Sequence, residues 1–156
     1  MYLFPNSYKT PSALIFYASV GFGICYLFFY DSINMFTSGI ELKVPMFFSD
    51  HFIDGDQFWK KNNLLDEIVA ILIVSSGIIH GFSKESVEDE LIHKIRLESL
   101  AWSVQINFIL VLLETIFIFG IHFYEVMIIQ LFLILLLFNL KLHLALKHFY
   151  KREDEK

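Results

Sequence analysis

The stretch that decides the architecture is residues 101–146, AWSVQINFILVLLETIFIFGI-HFYE-VMIIQLFLILLLFNLKLHLAL. Two apolar runs, Ala101–Ile121 and Val126–Leu146, flank a short polar connection, His122–Glu125. Each run has the roughly 20 residues that an α-helix needs to cross about 30 Å of hydrocarbon at 1.5 Å per residue. A connection this short sets the two helices antiparallel. Alternation at period two is absent, which argues against transmembrane β-strands.

Outward from this hairpin, two more runs have the same character, Ala13–Tyr30 and Leu64–Phe82. The first follows Lys9 and carries no A-x-A cleavage pattern, so it is expected to stay as a span and not leave as a signal peptide. The second is the least regular, because Asp66 and Glu67 occupy its first turn and His80 its last. A tilted or shielded helix is expected there.

Composition agrees. The 156 residues are 56% hydrophobic and only 19% charged, with 18 Phe, and the mean hydropathy is +0.57. A soluble chain of this size could not bury so much apolar surface. The net charge of −5 excludes a general nucleic-acid binder. The single cysteine, Cys25, allows neither an intramolecular disulfide nor a Cys-rich metal site. The expected fold is an all-α integral membrane domain over 1–156. Four transmembrane helices, about 13–30, 64–82, 101–121 and 126–146, form an antiparallel bundle.

Orientation follows from the basic residues. With the N-terminus inside, nine of the 12 lysines and arginines are cytoplasmic: Lys9, Lys84, Lys94, Arg96, Lys141, Lys147, Lys151, Arg152 and Lys156. Lys43, Lys60 and Lys61 fall in the outer loop 31–63, which is otherwise acidic (Asp31, Glu41, Asp50, Asp54, Asp56). That loop holds Phe47, Phe48, Phe52, Phe58 and Trp59, too many aromatics for plain disorder. A short amphipathic or re-entrant piece at the interface is expected. Both termini are expected in the cytoplasm, and the membrane is read as a bacterial inner membrane.

Ser83–Leu100 reads SKESVEDELIHKIRLESL. Ser83 or Ser86 can cap a helix, Glu88, Asp89 and Glu90 suit its positive end, and Glu90 and Lys94 have ion-pair spacing. Val87, Leu91, Ile95, Leu97 and Leu100 give it an apolar stripe. The helix is expected to continue unbroken into the third span and to project about 20 Å into the cytoplasm. Glu90, His93, Arg96 and Glu98 are its candidate partner or ion contacts. Glu90 and His93 have the Glu-x-x-His spacing of di-iron bundles, but such a site needs a second copy and further glutamates, so no metal is expected.

Asn62-Asn63-x-x-Asp66-Glu67-Ile68, Gly81-Phe-Ser-Lys-Glu-Ser-Val-Glu-Asp-Glu90, Ile95-Arg-Leu-Glu-Ser-Leu100 and Gln105-Ile-Asn107 carry a resemblance. The stretch resembles a functionally uncharacterised family of small four-span bacterial membrane proteins, and more loosely the likeness extends over the last two spans. It implies the four-span topology and brings no catalytic residues with it.

Polar groups inside the spans are costly and so informative. Glu114 lies past the middle of the third span, where a carboxylate must be paired, protonated or turned to water. Gln130 and Cys25–Tyr26 are expected at its depth. A second polar layer, Asn107, Asn139, Ser75, Ser76 and Ser19, is expected in the inner half. Ser19-x-x-x-Gly23 and Gly77-x-x-x-Gly81 favour close helix contact. His80 and His143 stand near the inner face, where a haem pair is conceivable, and with His93 they are the residues a haem or metal enzyme would use. No phosphate loop, nucleophile elbow or zinc pattern occurs.

These features give a leading expectation of a non-enzymatic membrane protein, without a cofactor. It assembles with itself or with a partner membrane protein, and senses or regulates through the cytoplasmic helix. An oligomeric channel or transporter using Glu114 is the alternative, and a haem- or metal-dependent membrane enzyme a third.

Overall fold

The computed structural model describes residues 2–29, 41–45, 59–86 and 89–154. Among the described residues four helices carry the fold: α1 (Lys9–Phe28), α2 (Leu65–Gly81), α3 (Glu90–Phe117) and α4 (Ile121–Asp154). A 3-10 turn, Asn6–Tyr8, leads into α1. Strands β1 (Glu41–Pro45) and β2 (Trp59–Asn63) pair antiparallel, from Glu41 opposite Asn63 to Pro45 opposite Trp59. The described part of the 31–63 loop is this β-ladder, and the rest of the expected amphipathic or re-entrant piece lies outside the described residues. Phe47, Phe48, Phe52 and Phe58 lie outside the described residues, as do Asp31, Asp50, Asp54, Asp56, Val87, Glu88 and Lys156.

α1 packs on α2, α2 on α4, and α4 on α3. The helices thus form two antiparallel hairpins joined through α2 and α4. Among the described residues three stretches are long and apolar enough to cross a membrane: Asn6–Leu27, Glu90–Phe117 and Ile121–Arg152. No more than 17% of the apolar window in any of them is buried inside the chain. Leu112, Phe117 and Leu131 are 64%, 73% and 68% exposed. In water such a surface would drive aggregation, whereas hydrocarbon solvates it at no cost. α2, with 17 residues, is shorter than these three.

Two boundaries differ from those expected. α3 starts at Glu90, and neither Ser83 nor Ser86 caps it. Asp89 does, its carboxylate accepting the Glu90 N–H at 2.6 Å, where a negative charge also meets the positive helix end. The segment before it is engaged elsewhere. The Phe4 N–H donates to Phe82 O and the Lys84 N–H to Phe4 O, both at 2.9 Å, so the N-terminal arm lies along it as a parallel bridge. The turn between α3 and α4 is Ile118–Gly120, not His122–Glu125. Gly120 takes φ +75°, a left-handed conformation that only glycine adopts freely. His122 and Glu125 belong to the first turns of α4 and pair with each other at 3.0 Å.

The best-packed region lies at the end opposite that turn. Ile92, Phe138, Leu142 and Leu146 are buried together, with Phe82, Ile95, Leu100, Phe149 and Tyr150 around them. Just above this cluster the Lys141 ammonium sits 5.2 Å over the Trp102 ring. An aromatic–cation pair of this kind suits a membrane–water boundary. Beyond it α3 continues for about 18 Å and α4 for about 20 Å at 1.5 Å per residue. The polar stretch of α3 is thus not a lone projection but one half of a packed helix pair.

Candidate functional site

At this end of the bundle four segments meet through polar contacts. Lys9, at the start of α1, bonds the Glu85 carboxylate at 2.5 and 2.6 Å, and the Glu85 side chain is 6% exposed. The Arg96 Nη2 donates to Ser83 O at 3.0 Å, and Arg96 is 1% exposed. Ser83 Oγ donates to Ile79 O in the last turns of α2. The Nδ1 of His80 donates to Lys9 O at 3.2 Å, since a carbonyl can only accept. The N-terminal arm, the end of α2, the 82–86 link and α3 are thereby tied into one knot.

The four expected partner contacts divide. Glu90 and Glu98 are exposed, His93 is half-buried, and Arg96 is buried. Arg96 points into the chain and is not available to a partner. Its side of the helix, Ile92, Arg96, Ser99 and Ser103, is the buried one. The expected apolar stripe splits likewise, with Ile95 and Leu100 packed on the core while Leu91 and Leu97 stay 53% and 46% exposed. The outward arc is Glu90, Leu91, Lys94, Leu97 and Glu98, spanning about 120° at 100° per residue. Lys94 and Glu98 pair loosely across it at 3.8 Å.

Along its length α3 carries a polar stripe. Arg96, Ser103, Asn107 and Glu114 recur at spacings that keep them within an arc of about 40°. The stripe faces α4. Gln130 Nε2 donates to Asn107 O at 2.9 Å, and Glu114 is half-buried. Asn139 Nδ2 donates to Gly77 O at 3.1 Å and to Leu135 O at 2.9 Å, linking α4 to α2. Ser76 is buried and donates to Leu72 O in its own helix.

Of the expected depth groups, Asn139 does stand level with Ser76, beside Gly77, but the levels expected for Gln130 and Asn107 do not hold. Gln130 lies beside Asn107 and not at the level of Glu114, and Asn139 sits on α2, well below Asn107. The cause is the turn. Its centre lies about four residues earlier than the one expected, and in an antiparallel hairpin the cross-pairing slips by twice that. The same shift leaves Glu114 within one turn of the end of α3.

Comparison with known proteins gave no match to any family model, curated protein or solved structure. Among the described residues no group of three or more His, Cys, Asp and Glu side chains is placed to hold a metal ion. His80 has its Nδ1 on a backbone carbonyl, and His143 is exposed.

A further feature lies at the opposite end. The C-terminal half of α1 and the N-terminal halves of α2 and α4 enclose a half-open groove of about 570 Å³. Its walls are apolar, among them Val20, Ile24, Ile73, Phe132 and Leu136, and Asp66 and Glu67 stand at one end. Asp66 is exposed, whereas Glu67 Oε2 is shielded from solvent. In the sequence these carboxylates mark only an irregular first turn of the second run. Two acids in the first turn of an otherwise uncharged apolar run were the available signal. For the Lys9–Glu85 pair, 76 residues apart, there was no local signal.

Proposed function

We propose that this is a four-span protein of a bacterial inner membrane, with both termini in the cytoplasm. It acts without catalysis, by assembling with itself or with a membrane partner through the inner segment of α3. The observation that carries the assembly role is the outward arc of that segment. There Leu91 and Leu97, 53% and 46% exposed, stand among Glu90, Lys94 and Glu98. Charged residues alone would be a solvated face, but half-exposed leucines beyond the Trp102–Lys141 level have neither lipid nor core to cover them. A mixed face of this kind suits a second helix, with leucines as anchors and charges fixing the register.

Four spans are supported by the course of α2. It runs antiparallel to α1 and shares both ends with it, meeting Lys9 through His80 and lining the groove beside Gly23 and Leu27. A helix that keeps level with α1 along its length crosses whatever α1 crosses. The basic residues at the inner end support the orientation. Glu114 stands on the stripe facing α4, which favours polar adhesion between helices over conduction.

The test is in-cell crosslinking from a photoreactive residue at position 94, in full-length protein. A specific adduct is expected, and Leu91→Ser with Leu97→Ser should abolish it while the chain still fractionates with membranes. Absence of any adduct, or an adduct indifferent to the double substitution, would count against assembly through this face.

A further inference from the structure

We propose that the partner of α3 is α3 of a second copy of this chain, packed parallel to it about a two-fold axis along the membrane normal. The inference rests on the assembly through α3 proposed above and names its partner. Leu91, Glu98, Gln105 and Leu112 recur every seven residues, and Lys94, Ala101, Phe108 and Thr115 fall between them. Alternate steps of three and four residues make the contact seam of a left-handed helix pair. All eight residues are exposed, from the first turn of α3 to the last. Arg96 and Ser103, both buried, stand on the reverse of the helix. The chain itself leaves the whole seam uncovered.

Lipid alone does not account for it. Lipid solvates Phe108 and Leu112, but it does not reach Leu91, about 17 Å beyond the Trp102 level. Gln105 is exposed about 4.5 Å on the other side of that level, inside the span. Its amide bonds to no described residue, and hydrocarbon offers it neither donor nor acceptor.

What singles out a second copy is that the seam complements itself. Copies in one membrane share one orientation, so the two-fold axis sets each residue opposite its own number. One Gln105 amide then meets another at the same depth, and each supplies donors and an acceptor to the other. In a parallel seam a side chain also rests against the partner's seam residue one step earlier. Glu98 of one copy thus faces Lys94 of the other, and the reverse, which gives two ion pairs. Within one chain these side chains are 3.8 Å apart and more than 65% exposed, so little holds them to each other. Ala101, between the charges and the amide, lets the two backbones approach. A different protein would have to reproduce this order at the same depths, whereas a second copy has it by symmetry.

The test is disulfide formation on adding an oxidant to membranes that hold full-length Cys25→Ser protein with one new cysteine. Leu112→Cys should give a linked dimer, and Leu113→Cys, exposed but off the seam, little or none. Lys94→Glu or Glu98→Lys, added to Leu112→Cys, should lower the yield about fivefold, the scale of turning two exposed ion pairs into like-charge contacts. Gln105→Leu should lower it by about the same factor. Coexpressed under different tags, the two charge variants should recover a mixed dimer, because each supplies the charge the other has lost. Like charges still stand four residues apart within each of those chains, so the recovery comes from across the interface. Every variant should fractionate with membranes as the parent chain does. Equal yields at positions 112 and 113, a yield indifferent to all three substitutions, or no recovery in the mixture would each overturn the inference. If the photoreactive residue at position 94 captures a different protein and Leu112→Cys gives no dimer, the second copy is ruled out and assembly through α3 stands. If neither gives an adduct, assembly through α3 falls with it.

Discussion

Arg96→Ala is expected to lower the unfolding free energy by about 3 kcal/mol, the scale for removing one member of a buried polar contact. Arg96 is 1% exposed and its Nη2 holds the Ser83 carbonyl at 3.0 Å. Alanine removes that donor, removes the packed methylene stem, and leaves a cavity beside Ile92 and Ser99. Lysine should recover little, because one ammonium cannot reproduce a planar fork of donors. Methionine should recover the stem but not the hydrogen bond. The measurement is reversible unfolding in mixed micelles, with amide exchange at Phe4 and Lys84 read alongside. Those two amides close the bridge between the N-terminal arm and the link that Arg96 holds. Their protection should fall with the Ala variant. Lys94→Ala is the control: its partner Glu98 is 3.8 Å away and both side chains are more than 65% exposed, so about 0.5 kcal/mol or less is expected. An Arg96→Ala cost as small as that of Lys94→Ala would mean that the knot does not hold this end of the bundle together.

The contrast between these two basic residues marks where sequence reading reaches its limit. Both stand in one charged segment, two residues apart, and composition gives them the same solvated role. Helical angle separates them, because two residues turn the helix through about 200°. Which side becomes the inside depends on where α4 passes, and that depends on the turn. Hydropathy located the third and fourth runs because lipid thickness constrains them directly. It could not locate the turn, since Ile118 and Phe119 are as apolar as the spans, and the polar residues His122 and Glu125 drew the boundary to themselves. Gly120 was the better marker, for its backbone and not its polarity. The consequences spread through every pairing across the hairpin, including Gln130 with Asn107. The Asp66–Glu67 groove was unreadable for a different reason. Its walls come from three helices far apart in sequence, and a void leaves no periodic trace in any one of them.

The second large effect concerns Gly81 and Phe138. A Cβ added at Gly81 would overlap the Phe138 ring and come within 3.0 Å of Asn139 Oδ1. The ring has nowhere to go, being 1% exposed, tilted against Phe82 with centroids 5.3 Å apart, and packed with Ile92 and Leu142. Gly81→Ala should therefore cost about 2–3 kcal/mol despite the better helix propensity of alanine. Phe138→Ala should cost about 3–5 kcal/mol through the cavity it leaves. The informative measurement is the double variant. If Gly81 is there to admit the ring, deleting the ring removes the overlap, and the pair should be about 2 kcal/mol less damaging than the sum of the single changes. Gly21→Ala provides the reference, since nothing lies within 4 Å of the added carbon and a mid-helix glycine gains roughly 0.5–1 kcal/mol on becoming alanine. Strict additivity at Gly81 and Phe138 would show that the glycine serves α2 itself. Strong coupling would assign it to the approach of α2 and α4, the contact on which the two helical hairpins are joined.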